Sequence, residues 1–176
     1  MKKILYKIID FWSRKKYNNC GGDSIMARHS ALQVAKWFLA HNRIAMNEEG
    51  AEYISNLKLQ KLLYYAQGTF LAMKGEKLFP EKILAWQHGP VVDEVYSYYK
   101  GNGASGIQFD EDFEISDFTD EENQILTDVY DIFGQYSAWK LRNMTHAEMP
   151  WQETLPNDEI SPAPIQNYFK RNYVEK

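Results

Sequence analysis

Asn56–Tyr99 reads NLKLQKLLYYAQGTFLAMKGEKLFPEKILAWQHGPVVDEVYSYY, and the rest of the chain is organised around it. Leu59, Leu62, Leu63, Ala66, Phe70 and Met73 recur at helical spacing, so one stripe of a long helix is expected to face a core. Ser55 or Asn56 suits its N-cap, and Gly75 and Pro80 bracket its end. Ile83-Leu84-Ala85-Trp86 is a continuous apolar run of strand length, stopped by Gly89-Pro90. Proline fits the first turn of a helix, where a missing N–H costs nothing. A second helix is therefore expected from Pro90 to about Lys100, with Gly101 as its stop.

Three blocks of this stretch carry a resemblance. They are Leu59-Gln60-Lys61-Leu62-Leu63-Tyr64-Tyr65-Ala66-Gln67, then Ala85-Trp86 ahead of Gly89-Pro90-Val91-Val92, then Glu94-Val95-Tyr96. In order and spacing they resemble the Panacea domain of SocA-like antitoxins, a family also labelled phage-associated or GepA-like. The resemblance runs from about Leu32 to Phe169 and takes in Trp151 after Pro150. Asp93 departs from the pattern, which often has proline there, and the difference concerns helix entry.

The chain has 176 residues, 44% of them hydrophobic and 15% aromatic, enough for one domain with a real core. Cys20 is the single cysteine, so no intrachain disulfide forms, which fits a reducing cytoplasm. No apolar run reaches the ~18 residues of a membrane-spanning helix. The net charge of −4 is uneven. Residues 1–25 hold six basic and two acidic side chains, which leaves 14 of the 20 basic and 22 of the 24 acidic ones in residues 26–176. An acidic body argues against a broad phosphate-binding face and favours a cationic partner, or serves solubility alone.

Residues 1–25 form a basic N-terminal extension unlike the rest. Ile4, Leu5, Ile8, Ile9 and Trp12 suit one face of a short amphipathic helix able to lie on an anionic membrane. A duller reading makes Met26 the physiological start. Gly21-Gly22-Asp23 is encodable by a purine-rich string that resembles a bacterial ribosome-binding site. Residues 26–176 are then the SocA-like domain.

Along that domain Ser30 and Gln33 make a capping box for a helix to about His41, whose inward face is Val34, Ala35, Phe38 and Leu39, with Trp37 to one side against the next helix. Asn42 to Ser55 reads as a connector. Gly101–Gly106 is a flexible loop without the pattern of a phosphate cradle. Ile107 to Ile115 alternates weakly and is expected to pair with the Ile83 strand. Asp110 to Glu122 holds eight acids in thirteen residues but lacks a calcium-loop pattern. Thr119 and Glu122 form a second capping box, with Leu126, Val129, Ile132 and Phe133 inward as far as Gly134. Ser137 caps a helix with Leu141 and Met144 that fades near His146. An irregular crossing follows from Pro150, and Ser161-Pro162 restarts a helix with Ile165, Tyr168 and Phe169 inward. The tail from Arg171 is expected to fray. The sum is a mainly α (α+β) domain, a compact bundle of about six helices with a short β-hairpin or small sheet.

No local pattern supports a metal or a reaction. His29, His41, His88 and His146 occur in no H-E-x-x-H and beside no cysteine pair. P-loop, nucleophile-elbow and dinucleotide patterns are missing. His88 with Asp93 is the nearest approach to a general base, and a histidine bonded to the Gly-Pro corner is the blander reading. Lys58, Lys61 and Tyr65 share a helix face, too small a basic patch to argue for nucleic acid.

The resemblance implies an antitoxin without cofactor or catalytic set. It would neutralise a cognate toxin, encoded by a neighbouring gene, through direct protein–protein binding. The alternatives are a proteolytic adaptor or regulatory protein of a phage-associated operon, and a small hydrolase using His88 and Asp93. Lys61, Leu62, Leu63, Tyr64, Trp86, Gly89, Pro90 and Val91 match the family pattern and are expected to hold the helix–corner–helix unit. Lys58, Tyr65, Tyr96, Tyr98 and Tyr99 are the candidate partner interface, and Tyr64 is a further aromatic anchor.

Overall fold

The computed structural model describes residues 29–49, 51–108 and 117–174, with the side chains of 47–49 excepted. The N-terminal extension and most of the acidic run at 110–122 lie outside them. Seven α-helices occur among the described residues: α1 (Ala31–Glu49), α2 (Asn56–Lys74), α3 (Asp93–Tyr99), α4 (Asp120–Phe133), α5 (Ala138–His146), α6 (Met149–Gln152) and α7 (Pro162–Phe169). A two-stranded antiparallel sheet, β1 (Leu84–Trp86) and β2 (Gly89–Val91), lies between α2 and α3. The fold is mainly α with a small sheet.

α2 is the axis of the bundle. It packs against α1, α3, α4, α5, α7 and β2, and every residue from Leu59 to Ala72 is buried. The helix is wrapped on all sides, where the sequence periodicity foretells one inward stripe. Ser55 Oγ accepts from the Lys58 N–H at its start, and Gly75 ends it at φ 78° with its N–H on the Leu71 carbonyl. Gly68 sets the approach of α7, because a Cβ there would overlap the Phe169 ring.

Three caps form as the sequence indicates. Ser30 and Gln33 exchange bonds at the start of α1, with Ser30 N to Gln33 Oε1 at 2.8 Å. Thr119 and Glu122 do so at the start of α4, and Ser137 Oγ accepts from the Lys140 N–H at α5. α1 runs on past His41 to Glu49. The expected break at Asn42 does not occur because that side chain is buried and satisfied: it donates to the Glu52 carbonyl at 3.2 Å and accepts from Tyr130 Oη at 2.7 Å. Trp37 is buried in the core, with Nε1 donating to Asn123 Oδ1 of α4 at 2.7 Å.

The hairpin corrects two expectations. Pro90 does not open a helix; it sits in β2, and α3 starts at Asp93. β1 also does not pair with the Ile107 segment. Its second neighbour is the chain before α7, with Ala85 N on Asp158 O at 2.9 Å, Asn157 N on Ala85 O at 2.8 Å, and Ile160 N on Ile83 O at 2.8 Å. Ala85 thus turns both backbone groups away from β2. Pro90, directly opposite Ala85, occupies a non-hydrogen-bonded position where its missing N–H breaks no ladder bond. Ile107 bonds instead to Ile54, N to O at 2.8 Å, and residues 109–116 lie outside the described part. α3 passes into a 3-10 turn, Lys100–Asn102, before Gly103 takes positive φ, so the stop falls two residues after Gly101.

Residues 171–174 are not frayed. Lys170–Val174 continues α7 as a π-helical turn against α2, and Tyr173 packs at 4.9 Å on the Phe169 ring. The crossing from Pro150 holds the short α6.

Candidate functional site

The family-pattern residues form the support under the hairpin. Lys61 is fully buried on α2, and its Nζ donates to the Pro90 carbonyl at 2.8 Å. Gly89 stands over the same amine at φ 97°, where a Cβ would lie 3.0 Å from Lys61 Nζ and 2.8 Å from Thr145 Oγ1. Only glycine allows both that backbone conformation and that approach. One helical step earlier Gln60 Oε1 accepts from the Val92 N–H at 2.9 Å, and its Nε2 donates to Asn56 Oδ1 at 3.0 Å. Asn56 Nδ2 donates to the Tyr96 carbonyl at 3.0 Å. Gln67 closes the connector: Oε1 accepts from Leu78 and Phe79, and Nε2 donates to the Phe79 carbonyl. The polar residues of LQKLLYYAQ are thus fasteners that dock successive parts of the following loop, hairpin and helix onto α2.

Leu62, Leu63 and Tyr64 lie in the core, Val91 is buried, and Trp86 is half-buried. The Tyr64 and Tyr65 hydroxyls donate to Glu148 at 2.8 and 2.9 Å, and Tyr173 adds a third bond at 2.6 Å. Glu148 follows α5 and is itself buried. Burial raises its pKa to about 7 against the opposing pull of the three phenols, and burial with the adjacent Glu148 raises both Tyr64 and Tyr65.

The proposed interface is redrawn by burial. Tyr64 and Tyr65 have no exposure and Tyr99 is buried, so none of the three presents a surface to a partner. Lys58 is half-buried with its Nζ on the Gly134 carbonyl, and Lys61 is internal, so no Lys58–Lys61–Tyr65 surface patch exists. Tyr96 and Tyr98 are exposed.

What stands at the surface is the hairpin tip. The Trp86 and Tyr96 rings meet edge-on at 5.1 Å on one side. On the other, exposed His88 lies 5.9 Å from the ring of Trp139, itself 59% exposed. The tip is fixed from behind by Trp151 Nε1, which donates to the Trp86 carbonyl at 3.1 Å, and by a His146 hydrogen bond to the Gln87 backbone. Trp151 also stacks on His146 at 3.7 Å. His146, not His88, is the histidine bonded to the corner. His88 and Asp93 are not brought together: His88 faces Trp139, while Asp93 Oδ1 accepts from Ser97 Oγ on its own helix.

Sequence reasoning missed Glu148 and Trp139. Glu148 carries no local signature, since its partners are 84, 83 and 25 residues away. Trp139 had a weak signal, an aromatic on the polar face of a helix whose inward positions are Leu141 and Thr145. Among the described residues no group of three or more His, Cys, Asp or Glu is placed to hold a metal, and no helix is long and apolar enough to cross a membrane.

Comparison with known proteins accords with this geometry. A family model described as antitoxin SocA-like, Panacea domain, matches residues 59–152, which spans α2, the hairpin, α3 to α5 and α6. Among curated proteins, Antitoxin SocA of Caulobacter vibrioides (strain NA1000 / CB15N) is 52% identical over 54 residues, 31% of this chain and 29% of that protein. The match therefore spans less than a third of the relative's length. No solved structure matches the chain. The family match extends over more than half of the chain, from the fasteners on α2 to the tryptophan that holds the hairpin tip, and the protein belongs to the SocA-like antitoxin family with a Panacea domain.

Proposed function

We propose that this protein is a cytoplasmic antitoxin that neutralises a cognate protein toxin, encoded by a neighbouring gene, by binding it directly and stoichiometrically. Residues 26–176 would be the functional domain. Membership of the SocA-like family supports the antitoxin role. The observation that carries the direct-binding form is the hairpin tip: a rigidly backed turn flanked by Trp86, Tyr96, His88 and exposed Trp139. Aromatic side chains on a pre-organised support are the groups that dominate protein–protein affinity, because they bury large area at little entropy cost. Tyr96 and Tyr98 remain interface residues in this reading, and Trp139 joins them. The buried family-pattern residues act by holding the tip in place.

The experiment is growth rescue. The neighbouring open reading frame is induced with and without this chain, in hosts with and without their ATP-dependent cytoplasmic proteases. Direct neutralisation gives rescue in both hosts. Rescue confined to the protease-proficient host favours the adaptor reading instead. Loss of rescue in His88→Ala, with Trp139→Ala still protecting, would point to chemistry at His88.

A further inference from the structure

Among the large apolar side chains at the described surface, Leu155 is the most exposed, at 71%. A lone exposed leucine is ordinary. This one stands on a turn with a fixed backbone. Asp158 N donates to the Leu155 carbonyl at 3.0 Å, which closes a turn over Leu155-Pro156-Asn157-Asp158. Pro156 sets φ at the second position and Asn157 takes φ 69° at the third, the signature of a type II turn. Asn157 is the only non-glycine residue at positive φ among the described residues. The turn uses only the carbonyl of its first residue, so nothing in its own chemistry calls for leucine there.

The turn is fastened to the hairpin tip on both flanks. Ala85, next to Trp86, bonds it with both backbone groups: Ala85 N donates to Asp158 O at 2.9 Å, and Asn157 N donates to Ala85 O at 2.8 Å. On the other flank Trp151 Nε1 donates to the Trp86 carbonyl, and Thr154 Oγ1 donates to the Pro150 carbonyl at 2.7 Å. Ile160 beyond the turn is buried, while all four turn residues are exposed. Leu155 is thus held out from a rigid base continuous with the Trp86–Tyr96 surface, where binding it costs little further backbone entropy.

The surroundings of the turn are acidic. Exposed Glu153 and Asp158 flank it, and among the described residues neither forms an ion pair, whereas Glu159 is held by Lys82 at 3.1 Å. On the Trp139 side the sign reverses, since α5 carries Lys140 and Arg142 and no carboxylate. The acidic rim therefore belongs to the turn. A second copy docked by this turn about a two-fold axis would set the rim against itself, so like charge disfavours that occupant.

We infer that Leu155 is a contact residue of the toxin interface, seated in an apolar pocket of the toxin whose rim carries Lys or Arg against Glu153 and Asp158; the inference rests on the antitoxin reading and its hairpin-tip surface. The two parts have separate kinetic roles. Burial of Leu155 lengthens the life of the complex, and the carboxylates speed encounter and reject a toxin with an acidic rim.

The test measures association and dissociation of the full chain with the purified product of the neighbouring open reading frame, at low and physiological salt. Leu155→Ser is expected to weaken binding at least ~10-fold through faster dissociation, and Leu155→Met to keep most of the affinity. Glu153→Gln with Asp158→Asn slows association several-fold at low salt, flattens its salt dependence and leaves dissociation unchanged. Asn157→Gly keeps binding, because glycine holds the same φ. Ile44→Ser, at an exposed apolar residue on α1, leaves binding unchanged. All variants melt within a few degrees of the parent. Unchanged affinity in Leu155→Ser, an equal loss in Ile44→Ser, or faster association in the double variant would overturn the inference. So would sedimentation showing that Leu155 joins two copies of this chain. Growth rescue is scored in parallel. A parent that binds and protects, with Leu155→Ser doing both equally well, loses this contact and keeps the antitoxin reading; a parent that neither binds nor protects loses both.

Discussion

Lys61 Nζ and the Pro90 carbonyl oxygen are 2.8 Å apart inside the protein, so the central helix holds the hairpin by a buried amine. Lys61→Ala leaves that carbonyl unpaired and opens a cavity, and is expected to cost ~2–5 kcal/mol in chemical denaturation. The bond also carries a pH signature. With the folded pKa near 7 and the ordinary lysine value of 10.5, the unfolded state binds a proton that the native amine has released between those values. Stability therefore rises with pH across that window and falls as pH returns through about 7. Lys61→Met should flatten this slope.

Glu148 gives the opposite slope lower on the scale. Its native carboxyl keeps its proton up to about 7, while the unfolded one releases it near 4.5. Stability falls as pH rises through this interval, and Glu148→Gln should remove the dependence. Denaturant midpoints measured from about pH 4.5 to 7 for both chains check the sign.

Tyr173→Phe deletes one of the three phenol bonds to Glu148. A loss of ~0.5–1.5 kcal/mol is expected, with faster amide exchange over 170–174 and little change in α4. Uniform change across the chain would show that the π-helical turn is not a separable latch.

Gly89→Ala places a methyl against Thr145 and Lys61 in a left-handed backbone conformation. Both strain and overlap act in the same direction, and a loss of at least ~1–3 kcal/mol follows, read as a lower melting temperature.

Trp139→Ala is the complementary case. The side chain is mostly exposed, so stability should stay within ~0.5 kcal/mol of the parent. Toxin affinity should fall by ~2 kcal/mol or more, about 30-fold, if the hairpin-tip surface is the interface. Calorimetry on the folded variant separates the two.

The parts of the fold written in local chemistry were legible in the sequence. The caps at Ser30, Ser55, Thr119 and Ser137 depend on one side chain and the next turn of backbone, and each forms. Asn42 misled because asparagine disfavours helices by propensity, and only Tyr130, 88 residues on, shows why it is retained. Pro90 misled for a similar reason. Its tolerance in a strand depends on which way Ala85 faces, and the Asp158 segment decides that. The candidate surface was half legible. A tyrosine-rich stretch pointed to Tyr96 and Tyr98, but Tyr64 and Tyr65 look no different in sequence until Glu148 draws both hydroxyls inward.

The most direct measurement mixes purified toxin from the neighbouring gene with this chain, in the absence of any protease, and determines the mass of what forms. Direct neutralisation requires one stable species of defined stoichiometry, together with loss of toxin activity. Two separate species with the toxin still active would contradict it.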